Sequence, residues 1–229
     1  MELDARDILR VLRQKGVEKL HHANTVRTAC SFLRQGKLIS RGTLDELGLP
    51  QTDQQTDEID KDHGLWYDIF VDTVNIHHRG KGRNLYGPIL FEFNLEILEQ
   101  DWLPYIWVTK TNPNKWTNDM NYEEKYFKSV GEFEANFQYG NFDKLFVLRS
   151  VGGVVRLAPY LNRIIVDRCE RELYGVKAYD QAVGAIKASA IAGGLEHVEI
   201  APHGCQQNCK CESQYTTMNG SVFEKFYKP

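Results

Sequence analysis

The chain has 229 residues, of which 42% are hydrophobic and 11% aromatic, and its formal net charge is −3 at pH 7. This charge excludes binding of nucleic acid through an overall positive field, so such binding would need a local basic patch. No apolar run reaches the length of a membrane span, and the first residues, MELDARDILR, lack the apolar core of a signal peptide. We therefore predict one domain over residues 1–229, in the cytoplasm and with no membrane partner.

Two amphipathic helices separated by a strand are predicted in the N-terminal part. The first covers residues 4–15. Residues 20–42, LHHANTVRTACSFLRQGKLISRG, predict a short strand, a polar corner carrying His22 and Asn24, and a second helix that stops at Gly36. The apolar residues of the second helix share one face, with the spacing i, i+3, i+4 and i+7: Val26, Ala29, Cys30 and Leu33. A histidine just before such a helix is expected on the floor of a cleft.

Strands dominate the middle of the chain. Residues 50–64, PQTDQQTDEIDKDHG, contain five acids and predict a flexible, solvated loop that could cover the cleft. Segments rich in β-branched and aromatic residues predict strands at 66–72, 88–95, 103–109, 145–149, 164–166 and 197–201. Helices are predicted over 122–138, broken at Gly131, and over 179–192. Helices at both ends with strands between them indicate a single α+β domain.

A basic loop with two glycines lies between two of the predicted strands. Residues 75–84, NIHHRGKGRN, include Arg79 and Arg83, and arginine donors together with glycine-exposed amides suit the phosphates of a dinucleotide or of nucleic acid. The alternative is a solvated hairpin loop whose charge is incidental. Tyr86 closes the loop and could either stack on a ligand or pack against a neighbouring strand.

The C-terminal segment 203–229 is rich in cysteine. His203, Cys205, Cys209 and Cys211 form the pattern H-x-C-x3-C-x-C, a donor set that suits tetrahedral zinc. The spacing is tighter than in common zinc ribbons, so the other interpretation is a set of reduced thiols on a surface tail, or thiols that oxidise on purification. The aromatic residues of 223–227, FEKFY, are expected to dock on the domain or on a partner.

The segment 20–42 resembles the first motif of the ADP-ribosyltransferase superfamily, in particular the DarT-like toxins that modify nucleic acid. His22-Ala23-Asn24 matches the motif's His-x-Thr tripeptide, with asparagine where threonine is more usual. The resemblance implies a central, largely antiparallel split β-sheet flanked by helices. It also implies transfer of ADP-ribose from NAD+ to single-stranded DNA or RNA with release of nicotinamide, a role as a toxin or in phage defence, and an antitoxin partner.

The same resemblance implies roles for particular residues. His22 and Asn24 would hold a ribose of NAD+, Tyr86 would stack on the nicotinamide ring, and the arginines of 75–84 would contact the pyrophosphate. The family usually supplies a catalytic glutamate at the start of a late strand. Here the matching position falls near Asp143, with Glu134 in reserve.

Two other classes of function compete with the transferase. A metal-dependent nuclease would use Asp72, His77 and Glu92, although no strand carries the carboxylate-x-lysine pattern that such nucleases often show. A non-catalytic module that binds nucleic acid or protein is favoured by the missing glutamate and opposed by the acidic net charge.

Overall fold

The computed structural model of the protein describes residues 1–141, 143–149 and 151–229. The helices of these ranges are α1 (Ala5–Gln14), α2 (Val26–Gln35), α3 (Arg41–Glu46), α4 (Asp57–Asp62), α5 (Ile76–Gly80), α6 (Tyr122–Lys125), α7 (Val130–Asn136), α8 (Ala178–Ala192), α9 (Cys211–Thr217) and α10 (Gly220–Tyr227), with 3-10 turns at Leu95–Glu99 and Pro113–Lys115. The strands are β1 (Leu3–Asp4), β2 (Lys19–Asn24), β3 (Lys37–Ile39), β4 (Ile69–Val71), β5 (Ile89–Asn94), β6 (Tyr105–Val108), β7 (Phe146–Leu148), β8 (Val154–Arg156), β9 (Leu161–Val166), β10 (Glu172–Leu173), β11 (Val176–Lys177) and β12 (Glu199–Pro202).

Two four-stranded sheets form the centre of the molecule. Their strand orders are β1-β6-β7-β4 and β12-β9-β5-β2, and every pairing is antiparallel except that of the edge strand β12 with β9, which is parallel. The two sheets meet through one antiparallel bridge between His21 of β2 and Asp72, just after β4. These elements confirm a mixed α and β protein with largely antiparallel sheets.

Helix α2 has the bounds and the buried face that its sequence predicts. Val26, Ala29 and Leu33 are each fully buried, and Gly36 ends the helix with a φ of 61°. Thr25 is the N-cap residue, but its side chain does not cap the helix. The helix packs against α8, and β2 leads directly into it, so the end of β2 is held against the core.

Three predicted segments differ from the structure. The acidic segment 50–64, expected to be a loop, contains α4, and the basic loop 75–84 contains α5. The predicted helix over 122–138 is two short helices, and the break lies between α6 and α7 instead of at Gly131, which is inside α7. In each of the three segments a side-chain oxygen of aspartate, asparagine or serine accepts a hydrogen bond from a backbone N–H group three residues away, which favours a short helical turn.

The C-terminal residues dock on the domain itself, which is one of the two alternatives that the sequence left open. Helix α10 packs against α2 and α8, and its side chains Phe223, Phe226 and Tyr227 are buried. None of the described helices is long and apolar enough to cross a membrane.

The contact between α2 and α8 generates a prediction about stability. A Cβ atom added to Gly193 would lie 1.8 Å from the carbonyl oxygen of Leu33, so Gly193→Ala must push the end of α8 away from α2. We expect the free energy of unfolding in urea to fall by about 2–3 kcal/mol. The matched control is Gly184→Ala in the exposed middle of α8, where a Cβ meets no atom within 4 Å. This control should gain about 0.5–1 kcal/mol from helix propensity, and equal effects of the two variants would contradict the assigned contact.

Candidate active site

A cavity of about 260 Å³ lies where the two sheets meet, next to the N-terminal end of α2. Three residues predicted to bind NAD+ line it: His22 and Asn24 from β2, and Tyr86 from the turn before β5. Apolar side chains form much of its wall, namely Ile59, Phe70, Val74, Ile76, Leu90 and Leu145. The structure therefore brings together three predicted residues that are separated by up to 64 positions (86 − 22) in the chain.

The imidazole of His22 is held in one orientation. Its Nδ1 lies 2.8 Å from the backbone carbonyl oxygen of Phe70, so Nδ1 carries the hydrogen and donates it. The ring centroid lies 5.7 Å from that of Phe32. Burial lowers the pKa of His22 to about 4, so the ring is neutral at pH 7. Its Nε2 is buried and has no hydrogen-bond partner among the described residues, so the neutral ring keeps an unused acceptor.

The acidic segment 50–64 forms one side of the cavity. The side-chain amide nitrogen Nε2 of Gln54 lies 3.3 Å from the backbone carbonyl oxygen of Tyr86 and 3.5 Å from Oδ1 of Asn24. The backbone amide of Thr52 donates to the hydroxyl of Thr28 on α2. These bonds anchor the segment to α2, to the end of β2 and to the turn that carries Tyr86.

The turn that carries Tyr86 is pressed against the end of β2. Gly87 has a φ of 141°, and a Cβ added there would lie 2.3 Å from the backbone carbonyl of Asn24. The backbone amide of Tyr86 donates to Asn84 Oδ1 at 2.9 Å. Burial raises the pKa of the Tyr86 hydroxyl. The backbone of this turn is therefore held against β2, and the Tyr86 side chain lines the cavity while remaining partly exposed.

Arg41 is a cavity residue that the sequence analysis missed. It begins α3, whose N-cap is Ser40, and its guanidinium makes a bidentate ion pair with Asp57 at 3.1 and 2.7 Å. It also donates to the carbonyl oxygen of Thr52 at 2.8 Å. The only signal in the sequence is the helix-start pattern around Ser40, which locates the turn but gives no hint that it faces a cavity.

Two carboxyl groups line the cavity, and both are raised in pKa. Burial, with the neighbouring Asp57 carboxylate, raises the pKa of Asp60 to about 7. Burial raises the pKa of Asp72 to about 8; its Oδ1 accepts from the amide of Val74 at 2.9 Å, and its Oδ2 has no partner among the described residues. Raised carboxyl pKa values in a cleft are typical of functional sites, and they also occur in purely structural ones.

The residues predicted for catalysis do not line this cavity. Asp143 pairs with Lys115 at 3.1 Å, and Glu134 lies on α7. Arg83 does not line it either, because its guanidinium lies 5.5 Å from the ring centroid of Phe226. Arg79 lines a different cavity and donates to the carbonyl oxygen of Gly140 at 2.8 Å.

The three residues of the nuclease hypothesis lie apart. Asp72 faces the cavity described above, and Glu92 is engaged by Asn162 at 2.7 Å and by Arg163 at 3.0 Å. His77 points toward the C-terminal cysteines. Within the described ranges, no group of possible metal ligands combines these three residues.

The cysteine pattern is assembled around a different histidine from the one predicted. Cys205, Cys209 and Cys211 are grouped with His77, whereas His203 is grouped with His77 and Asp167. The rings of His77 and His203 stack with their centroids 3.5 Å apart. His203 therefore stacks on the ring of His77, and His77 is the histidine that contacts the sulfur atoms.

A larger groove of about 810 Å³ shares His21 and Val74 with the first cavity. Its lining is polar and includes four basic residues and two acidic ones: Lys19, Arg79, Lys81, Arg163, Glu18 and Glu92. Tyr139, half exposed, lies at its edge. The groove thus provides a local basic surface on a protein of acidic net charge.

Comparison with known proteins adds no identification: no protein-family model matches the chain, and no curated protein matches its sequence.

The raised pKa of Asp72 generates a prediction about pH. The unfolded carboxyl titrates near 3.8 and the folded one near 8, so between these values the folded protein binds more protons and rising pH disfavours folding. Asp72→Asn cannot titrate. From pH 4 to pH 8 the free energy of unfolding of this variant should therefore rise relative to that of wild type. The full effect is about 1.4 kcal/mol per pKa unit, and we expect about half of it, about 3 kcal/mol, because the folded protein relaxes around the charged carboxylate. Urea unfolding across this range measures the difference, in which the titration of Asp60 cancels. A difference that does not change with pH would show that the carboxyl is not perturbed.

Proposed function

We propose that the protein is an NAD+-dependent ADP-ribosyltransferase that modifies single-stranded nucleic acid and releases nicotinamide. The observation that carries this proposal is the common cavity of His22, Asn24 and Tyr86, the residues that the family resemblance implies for NAD+. Two largely antiparallel sheets that meet at one bridge agree with the split sheet of that family. The cavity is smaller than the roughly 300–1,000 Å³ of sites for whole drug-sized ligands, so it suits the nicotinamide riboside half of NAD+.

We assign the binding roles from the family resemblance and from the residues that line the cavity. The neutral His22 accepts a hydrogen bond at Nε2 from a ribose hydroxyl, and the ring of Tyr86 stacks on the nicotinamide. Arg41, whose guanidinium is paired with Asp57, would donate its remaining N–H groups to the pyrophosphate, a role that the sequence had given to Arg79 and Arg83. Because Arg41 is already oriented by its ion pair with Asp57, little side-chain entropy remains to be lost on binding.

The reaction breaks the bond between the ribose C1′ atom and the nicotinamide nitrogen. The bonding electron pair leaves with nicotinamide, C1′ gains oxocarbenium character, and a nucleobase nitrogen or oxygen forms the new bond and loses its proton. An anion near C1′ stabilises this positive charge. Asp60 is the carboxyl group that suits this role in place of Asp143, because it lines the cavity and its pKa of about 7 falls when the positively charged nicotinamide binds.

The larger groove supports nucleic acid as the acceptor. Its basic residues Arg79, Lys81 and Arg163 can contact a phosphate backbone, and Tyr139 offers a ring for stacking of an unpaired base. The groove adjoins the first cavity at His21 and Val74, so a base bound there would approach the ribose from the side of β2. An antitoxin partner is part of the same proposal, by analogy with the DarT-like group.

Transfer from NAD+ is the first prediction of this proposal. The protein is incubated with NAD+ labelled in the adenylate, together with separate pools of single-stranded DNA, RNA and cell protein, and both released nicotinamide and bound label are measured. We expect nicotinamide release with label in one nucleic-acid pool, and a loss of about 10- to 100-fold in His22→Ala, which removes one ribose contact. His197→Ala, an exposed histidine outside both cavities, is the matched control. Label in protein alone would reject nucleic acid as acceptor, and absence of NAD+ binding would reject the transferase.

The second prediction concerns the carboxylate. Asp60→Asn should lower nicotinamide release about 100-fold. Asp143→Asn should leave it within about twofold, because Asp143 is paired with Lys115 and does not line the cavity. In wild type the rate should rise with pH toward neutrality as Asp60 ionises, and this rise should be absent in Asp60→Asn. A larger loss in the Asp143 variant than in the Asp60 variant would return the catalytic role to the position that the sequence indicated.

A further inference from the structure

A histidine and three cysteines from distant parts of the chain converge below the larger groove. This Cys3His cluster consists of His77, Cys205, Cys209 and Cys211, whose ligand atoms all lie within 4.8 Å of one another. His77 Nε2 lies 3.2 Å from the Cys209 sulfur and 3.7 Å from that of Cys205, and the sulfurs of Cys205 and Cys211 are 3.4 Å apart. All of these cysteines are free thiols.

These separations match the edges of a zinc tetrahedron. With zinc–sulfur bonds of about 2.3 Å and zinc–nitrogen bonds of about 2.0–2.1 Å, the ligand atoms of a tetrahedral site lie roughly 3.5–3.8 Å apart. Three of the six separations within the cluster, 3.2, 3.4 and 3.7 Å, are close to these values, and all six are within 4.8 Å. A disulfide would need two of the sulfurs at about 2.05 Å, and would leave the third cysteine and the histidine without a role.

The surroundings of His77 orient it as a ligand. Its Nδ1 lies 2.7 Å from Oδ1 of Asp167, so Nδ1 donates and the lone pair of Nε2 faces the sulfurs. The hydroxyl of Tyr215 donates to Oδ2 of the same carboxylate at 2.5 Å, and that of Tyr227 donates to the Asp167 carbonyl oxygen at 3.1 Å. A carboxylate behind a histidine, itself fixed by further hydrogen bonds, is the usual support of a protein zinc ligand.

We propose that the Cys3His cluster binds one structural zinc ion. Four protein ligands fill the tetrahedron and leave no open position for substrate, which distinguishes a structural from a catalytic site. On binding, the three thiols release their protons to solvent and coordinate as thiolates. The ion joins the segment 75–84 to the C-terminal helices, where the backbone of Lys210 also donates to Lys81.

Metal analysis of the wild-type protein tests the proposal. The protein is produced without a polyhistidine tag, purified under reducing conditions with no added metal, and analysed for zinc by mass spectrometry. We expect about one zinc per chain, and replacement by Co2+ should give the visible absorption of a tetrahedral sulfur-rich site. Less than about 0.1 zinc per chain, with all thiols reacting freely and no Co2+ spectrum, would overturn the proposal.

Variants test which residues are the ligands. Cys209→Ser and His77→Ala should lose at least tenfold in bound zinc, whereas Cys169→Ala, a buried cysteine outside the cluster, should keep it. His203→Gln should also keep zinc and a sulfur-rich Co2+ spectrum. Retention of zinc by His77→Ala together with its loss in His203→Gln would replace the assigned histidine. If a ligand variant does not fold, chelation and readdition of zinc to wild type, followed by its thermal midpoint, gives the answer: a midpoint that does not move would contradict a structural role.

Discussion

Two backbone hydrogen bonds between His21 and Asp72 join the two central sheets. The backbone amide of His21 donates to the carbonyl oxygen of Asp72 at 2.7 Å, and the backbone amide of Asp72 donates to the carbonyl oxygen of His21 at 2.8 Å. Because side chains alternate along a strand, His21 and His22 lie on opposite faces of β2. His21 contacts Glu92 and lines both the larger groove and the cavity, whereas His22 lines the cavity and not the groove. A slip of one residue would exchange the two histidines, so the candidate site depends on the register of this junction.

The parts of this arrangement that sequence reasoning predicted are those governed by local rules. The spacing of the apolar residues of α2 and the glycine that ends the helix are visible within one segment, and they place His22 and Asn24 just before the N-terminus of the helix. Tyr86 was located by the turn that it closes. The coarse fold class, a mixture of helices and largely antiparallel sheets, also followed, because runs of β-branched and aromatic residues alternate with amphipathic helices.

The missed residues owe their positions to contacts between distant segments. Asp60 reaches the cavity because hydrogen bonds tie the acidic segment to α2 and to the Tyr86 turn, and Arg41 is held to the same segment by its ion pair with Asp57. No periodicity in the sequence records such bonds. The resemblance directed attention to Asp143, but this residue precedes β7, pairs with Lys115 and does not line the cavity. His77 was predicted as part of a basic loop and as a ligand of the nuclease site, whereas its ring contacts Asp167 and two cysteines that lie 128 and 132 positions later. Composition favours a charged loop in each of these cases, and only tertiary packing decides which way its side chains face.

The outer boundary of the β12-β9-β5-β2 sheet has a consequence for self-association. The amide of His203 donates to Val166, so the position before it, Pro202, turns its nitrogen away from the sheet. Proline has no N–H there, and a foreign β-strand approaching this side finds a missing donor and a rigid ring where it would need a hydrogen bond. This rim of the molecule is therefore poorly suited to templating fibrils or strand-exchanged dimers.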